Sequence, residues 1–481
     1  MTELARSFRD PAGICCLLGK RVFRFLQSEA AAEFDRFLGT SLARDFTNGG
    51  LLISTKRLSG EERAALRQSS EYCALDEELR SAVVLEHERI WFPSYPYEWA
   101  PEMLWEAGLL TLELARKSLA QGYCLKDATP YNVLFQGNKP IFVDVLSFER
   151  RIAGDPVWKP YAQFIRTFVL PLLSNAKWGT SLAGIFTTRR DGLEPNEVYR
   201  LCSPLERIRP PFLSLVSMPT WLTSKAANRG RDIFERRLIT DPHKADFILE
   251  SLFKRLSRSL EAVKPRAQNA SQWSYYMSSH TYSAEALSAK ERFVDSVLSE
   301  FKPAHVLDIG ANTGHFSALA AKAGAQVVAV DSDPDCVGQM WRKAQENHLD
   351  LLPLVVDLAR PTPSLGWRNG ESPSFLDRAA AAFDCVFMLA VVHHLLITER
   401  VPLEEIIKLA SELTTSLLII EFVGPGDEMF KSLVRGRDDL YMGITEALFE
   451  KACLIHFDVV RSLALSAHRR LYALKKKGCK A

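Results

Sequence analysis

The chain has no CxxC cysteine pair, no long apolar run and no excess of either charge. Its nine cysteines are scattered and odd in number, which argues against a structural zinc site and a disulfide framework. Reduced thiols in a cytoplasmic protein are the expectation. With 60 basic and 58 acidic residues the net charge is +2, too small to wrap nucleic acid or coat an anionic membrane. The opening MTELARSFRDPAG carries charges where a secretion signal would place an apolar core. Phe168–Leu173 is among the longest apolar stretches, contains a proline and is too short to span a bilayer. Lys475–Lys477 precede Cys479, but two residues after that cysteine are too few for a prenylation box. Neither a metal ion nor membrane insertion is therefore expected, and the oligomeric state stays open.

What the chain does have is length and apolar content. Its 481 residues, 47% hydrophobic, predict two or three core-forming domains. The expected class is α/β, and texture divides the chain into three parts. Residues 1–150 mix strand-like runs (Arg21–Leu26, Leu51–Ser54, Ile141–Val145) with helical spacing at Glu29–Leu38 and Pro101–Leu119, an α+β pattern. Residues 151–270 read as mainly helical. Residues 271–481 alternate short apolar runs with amphipathic helices, the pattern of a parallel sheet covered on both faces. Strands are predicted there at His305–Ile309, Gln326–Asp331, Leu352–Asp357, Phe383–Leu389 and Ser416–Val423, then a closing antiparallel pair at His456–Ser462 and Arg469–Leu474. That makes a seven-stranded, Rossmann-like sheet.

The segment V-L-D-I-G-A-N-T-G-H-F (Val306–Phe316) follows the first of these strands and opens a helix. A ligand there meets backbone amides at a helix start, with Gly310 and Gly314 keeping side chains out of its way. Asp308, Asp331 and Asp357 end three successive strands and so converge on one edge of the sheet. An acid ending the second strand can accept from both ribose hydroxyls of an adenosine. One after the third can take the adenine amine, and one in the first loop can meet an ammonium. The G-A-N-T-G loop also departs from the G-x-G-x-x-G of nicotinamide enzymes. These residues resemble the class I S-adenosylmethionine-dependent methyltransferases. The resemblance implies S-adenosyl-L-methionine as cofactor, with Asp308, Gly310, Asn312 and Gly314 on the methionine side, Asp331 on the ribose and Asp357 at the adenine.

Methyl transfer from a sulfonium is an in-line displacement, so the protein mainly aligns donor and acceptor. After the fourth strand the chain reads L-A-V-V-H-H-L (Leu389–Leu395). His394 is the candidate base or acceptor-orienting group, with His393 second, since imidazole titrates in the useful range. The same position lacks the Asn/Asp-Pro-Pro-aromatic tetrad of enzymes that methylate base amines or glutamine amides. Glu421 and Asp427 either face the acceptor or cap loops. Trp273–Tyr282 has the composition of a lid or of an interdomain packing segment. Arg435–Tyr441 can grip an anionic acceptor or form a surface ion-pair cluster.

In the N-terminal part, L-K-D-A-T-P-Y-N-V-L-F (Leu125–Phe135) precedes P-I-F-V-D (Pro140–Asp144). Asp127, Asn132 and Asp144 resemble, in order and first spacing, the catalytic Asp, metal-binding Asn and metal-binding Asp of protein kinases and aminoglycoside phosphotransferases. No glycine-rich phosphate loop precedes them, and Lys56 is the best available strand lysine. The alternative to a methyltransferase alone is thus a kinase-like nucleotide-binding or bifunctional protein. Trp91–Trp99 (W-F-P-S-Y-P-Y-E-W) forms either a recognition groove or part of a core. Taken together, the K-D-A-x-x-Y-N hairpin and the later L-x-R-G-R-D-D-L resemble bacterial methyltransferases related to the rhizobial nodulation protein NoeA. That likeness implies a methyltransferase acting on a small molecule or glycan precursor.

Overall fold

The computed structural model describes every residue except 1–5, 8, 70, 71, 73–81, 228–237, 267–282, 435, 437, 442 and 479–481. Trp273–Tyr282, Arg435 and Arg437 thus lie outside the described residues. The chain begins with five antiparallel strands, β1 (Arg6–Ser7), β2 (Gly13–Leu18), β3 (Arg21–Leu26), β4 (Thr55–Arg57) and β5 (Val83–His87), in the order β1-β2-β3-β5-β4. The expected strand at Leu51–Ser54 is absent. Leu52 makes one isolated parallel bridge to Phe142, and Ile53 donates its amide to the same residue, so this run is a crossing point.

The helix Pro101–Leu119 follows, as predicted, with proline in its first turn and Arg116 and Lys117 in its last. Two small antiparallel pairs come next: β6 (Tyr123–Leu125) with β9 (Phe148–Arg150), and β7 (Val133–Gln136) with β8 (Lys139–Phe142). Helices dominate from Tyr161 to Ala262. The longest, Pro242–Ala262, packs on Pro101–Leu119, where Trp105 Nε1 donates to Leu260 O at 3.0 Å.

The C-terminal sheet has seven strands: β10 (His305–Ile309), β11 (Gln326–Asp331), β12 (Leu351–Val355), β13 (Phe383–Met388), β14 (Thr414–Val423), β15 (Phe457–Ser466) and β16 (Arg469–Lys476). Their order is β12-β11-β10-β13-β14-β16-β15, parallel through the first five, with β16 antiparallel to β14 and to β15. β10 and β11 are buried on both faces, which is why they read as unbroken apolar runs. The helices His315–Lys322, Pro334–Glu346 and Leu403–Leu413 cover the sheet.

Trp91–Trp99 is core, not a groove. Trp91 stacks on His305 at 4.3 Å between ring centres and meets Phe383 edge-on at 5.5 Å. Tyr97, Glu98 and Trp99 are buried. Glu98 forms a buried ion pair with Arg378 and accepts from Thr362 Oγ1 at 2.6 Å, while Arg378 Nη1 donates to Pro93 O at 2.6 Å. Phe135 packs edge-on against both Trp99 and Trp341. One continuous buried cluster therefore runs from the N-terminal half into the seven-stranded sheet.

Candidate functional site

The carboxyl ends of β10, β11, β12 and β13 border a cavity of about 880 Å³. Asp308, Gly310, Asn312, Asp331, Asp357 and His394 all line it. The structure thus brings together six of the seven site residues expected from the sequence. Gly314 does not line the cavity. It adopts φ +77° at the start of the His315–Lys322 helix, and a β-carbon there would come within 2.5 Å of Met340. At Gly310, φ is +70° and a β-carbon would lie 2.8 Å from Val391. Left-handed backbone and protein packing thus favour glycine at both positions.

The loop is held to the second strand. Gly310 N and Ala311 N donate to Val330 O, and Asn312 N donates to Asp331 Oδ2 at 2.8 Å. Asp331 Oδ1 accepts from Asp333 N at 3.0 Å. Each carboxylate oxygen has two lone-pair directions, so these bonds orient Asp331 and still allow it to accept from a diol. Burial pushes its pKa up against the lowering effect of the backbone amides. Asp308 is 3% exposed and accepts from Ser317 Oγ at 2.6 Å. Burial raises it to about 6, with the Ser317 bond and the charge of Lys290 working the other way. Asp357 lies two residues beyond the end of β12, not on the strand as expected. It accepts from Ala359 N at 2.9 Å and pairs with Arg360 at 2.8 Å, which also reaches Glu399.

His394 sits in the Val392–Ile397 helix after β13. Burial, with Arg469 second, lowers its pKa to about 4, so the ring is neutral near pH 7. His393 is 2% exposed, lies 4.2 Å from His394 between ring centres, and does not line the cavity. Neither of its ring nitrogens meets a hydrogen-bond partner among the described residues. Glu421, fully buried, does not line the cavity either. It accepts from Lys290 Nζ at 2.6 Å and lies 3.6 Å from Arg469. Asp427 caps the Glu428–Val434 helix through Met429 N at 2.9 Å and binds Arg469 at 2.7 and 3.0 Å.

Lys290 and Arg469 escaped the motif-based reading. Lys290 replaces an apolar residue in the stripe Leu287, Val294, Leu298, Phe301 of the helix Ala284–Phe301. Arg469 starts the inward alternation Arg469, Leu471, Ala473 of β16. A cation on a core-facing stripe was the available signal.

Asp127, Asn132 and Asp144 are also brought to one place. Asn132 O accepts from Val143 N at 2.8 Å, and Asp144 electrostatically raises Asp127, second to burial. The cation there is Arg24 of β3, 2.9 Å from Asp144 and 3.7 Å from Asp10. Lys56 of β4 pairs at the surface with Glu62 of the helix Gly60–Leu66 and with Glu86 of β5. Among the described residues, no group of three or more His, Cys, Asp or Glu side chains is placed to hold a metal ion.

Comparison with known proteins places this architecture. Residues 279–415 match the methyltransferase domain family. The nodulation protein NoeA of Rhizobium meliloti strain 1021 is 30% identical over 480 residues, 98% of this chain and 96% of that protein. Among solved structures, magnesium protoporphyrin IX methyltransferase (ChlM) from Synechocystis PCC 6803 with bound SAH is 22% identical, covering 48% of this chain and 97% of that one, with a TM-score of 0.29. The N-methyltransferase NodS from Bradyrhizobium japonicum WM9 is 13% identical, covering 40% and 97%, with a TM-score of 0.29. No described helix is long and apolar enough to cross a membrane. By its end-to-end likeness to NoeA, the chain belongs to the NoeA family, and it is an S-adenosylmethionine-dependent methyltransferase.

Proposed function

We propose that the chain methylates a small molecule or glycan precursor by in-line transfer, within the single cavity that Asp308, Asp331, Asp357 and His394 line. That shared cavity is the observation that carries the reading. Asp331 would accept from the ribose hydroxyls, Asp357 from the adenine amine, and Asp308 from the ammonium of the methionine part. Loop residues Gly310 and Asn312 would follow the methionine chain, with Gly314 shaping the loop from behind. The bound cofactor supplies a methyl on a sulfonium, already a good leaving group. The volume falls within the range of about 300–1,000 Å³ typical of small-ligand pockets, toward its upper end, which suits a donor plus a modest acceptor.

The acceptor would lie between the helix after β13 and the helix after β14, where Leu395, Thr398, Met429, Ser432 and Leu433 line the cavity. A neutral His394 can accept a hydrogen bond from an attacking hydroxyl or amine and hold it in line. We assign residues 1–150 to an α+β domain, 151–270 to a mainly helical connecting region and 271–481 to the methyltransferase domain. The test is transfer of a tritiated methyl group to fractionated cell extract. Label should enter a low-molecular-weight or saccharide fraction and fall with His394→Ala. Label confined to protein or RNA would contradict the proposal.

A second reading, nucleotide binding by residues 1–150, draws support from Asn132 Nδ2, a donor buried without a hydrogen-bond partner among the described residues and able to serve a phosphate oxygen. On that reading Asp144, now paired with Arg24, would hold Mg²⁺ for the nucleotide phosphates. Mg²⁺-ATP should then raise the melting temperature of the wild type and not of Asp144→Ala; no shift in either removes the reading.

A further inference from the structure

The helical region carries an apolar face that the fold leaves outside. The π-helical turn Leu213–Ser217 continues into the helix Met218–Ala227. Its inner side is apolar and buried, with Phe212, Leu215 and Val216 in the core. Its outer side is apolar too. Met218, Trp221 and Leu222 stand at i, i+3 and i+4, one face of a helix, and are 48%, 42% and 62% exposed. A surface helix ordinarily turns polar residues outward, and one that is apolar all round is covered on both sides. Neighbouring elements extend the patch. The helix Pro195–Leu201 packs on both segments, and the 3₁₀ turn Glu206–Ile208 packs on the first. Leu201, Leu205 and Ile208 on and beside them are each more than half exposed. Trp221 is fixed across this junction by its indole N–H, which donates to Tyr199 Oη at 3.3 Å. Single exposed apolar side chains need no explanation, whereas six on elements that pack together mark a contact surface.

Charge selects the occupant. Tyr199–Thr223 contains three arginines, Arg200, Arg207 and Arg209, and one acid, Glu206. That acid is taken by Lys177 at 2.7 Å and by the amide and hydroxyl of Ser203. Arg207 lies over the Tyr199 ring, 4.1 Å from its centre, while Arg200 and Arg209 are exposed. A second copy seated here about a two-fold axis would bring arginines toward arginines. A surface that is apolar and negatively charged at once matches the patch, and the boundary of headgroups and acyl chains in an anionic bilayer is such a surface. The net charge of +2 gives the whole chain no long-range attraction to it, so the contact depends on this local excess. We propose that the face carrying Met218, Trp221 and Leu222 docks the chain on an anionic lipid surface, lying on the bilayer without crossing it. This role is separate from the cavity, whose wall includes none of the residues of the patch.

The experiment is co-sedimentation of the full chain with sucrose-loaded vesicles, one set of phosphatidylcholine alone and one of equal parts phosphatidylcholine and phosphatidylglycerol. The chain should bind the phosphatidylglycerol vesicles about tenfold more tightly, as for two arginines at a charged surface. Met218→Ser/Leu222→Ser should weaken that binding about tenfold, through the apolar area it removes. Its melting temperature should stay that of the wild type, since both side chains stand outside the core. Arg200→Gln/Arg209→Gln should abolish the preference for phosphatidylglycerol, as should about 1 M salt, where charges are screened beyond about 3 Å. These two arms stand even if the serine variant does not fold. Binding to neither vesicle, equal binding to both, or binding that the substitutions leave unchanged would overturn the proposal. Self-association that the serine variant abolishes, with no vesicle binding, would overturn it in favour of a second copy of the chain.

Discussion

His394 and Asp308 are displaced from their ordinary pKa values in opposite directions, and the two shifts act oppositely on stability. A buried imidazole held neutral, with a pKa of about 4 against 6.5, contributes stability that is present above pH 6.5 and lost as pH falls toward 4. His393, and His87 at about 3, act in the same sense. Asp308, raised from 3.8 to about 6, contributes below pH 4 and loses that contribution as pH rises through 6. Urea denaturation between pH 6.5 and 4 should therefore show a loss of stability on acidification. The slope should be shallower in His394→Gln and steeper in Asp308→Asn; superimposed curves would mean the shifts are absent. The strand-end acids were legible because each is set by local sequence, a carboxylate closing an apolar run. Lys290 and Arg469 were not, because their partner Glu421 is 131 and 48 residues away and only the fold joins them.

At the scale of elements, the strands of the C-terminal sheet were the clearest part of the sequence. Buried parallel strands such as β10 and β11 must be apolar throughout, and their predicted and observed limits coincide. β12 ends two residues before Asp357, since the Asp357–Ala359 and Asp357–Arg360 bonds form a turn that no apolar pattern reports. In the N-terminal half the spacing of Asp127, Asn132 and Asp144 was visible, but Arg24 of β3 was not singled out. It stands on a strand that looks like any other until the sheet folds over Asp144. Asp144→Asn removes the carboxylate nearest Arg24, leaving Asp10 at 3.7 Å, and should cost about 1.5–3 kcal/mol in chemical denaturation, the usual range for a hydrogen bond to a charged group. Gly310→Ala combines φ +70° with a contact of 2.8 Å to Val391. It should lower thermal stability and cofactor affinity together, whereas Gly50→Ala, also at positive φ but with open space around it, should lower stability alone.

For the whole molecule, the aromatic run Trp91–Trp99 joins the halves. Its composition did not distinguish groove from core, because both uses call for large rings with a polar handle. The distinction comes from Phe375, Phe383 and His305, which lie more than 200 residues away and bury it. Glu98 and Arg378 are almost wholly removed from solvent, so breaking their pair with Glu98→Ala should cost about 3–5 kcal/mol. Since the buried cluster is continuous across the seam, the wild type should unfold in one transition and this variant in two. All of this holds the carboxyl ends of four strands around one cavity, in which Asp331 is proposed to receive the adenosyl cofactor. Calorimetric titration of S-adenosylhomocysteine into the wild type and into folded Asp331→Asn tests it most directly. S-adenosylhomocysteine should bind the wild type and bind the variant about 10- to 100-fold more weakly, as for a lost pair of charge-assisted hydrogen bonds. Equal affinity in the two proteins would contradict it.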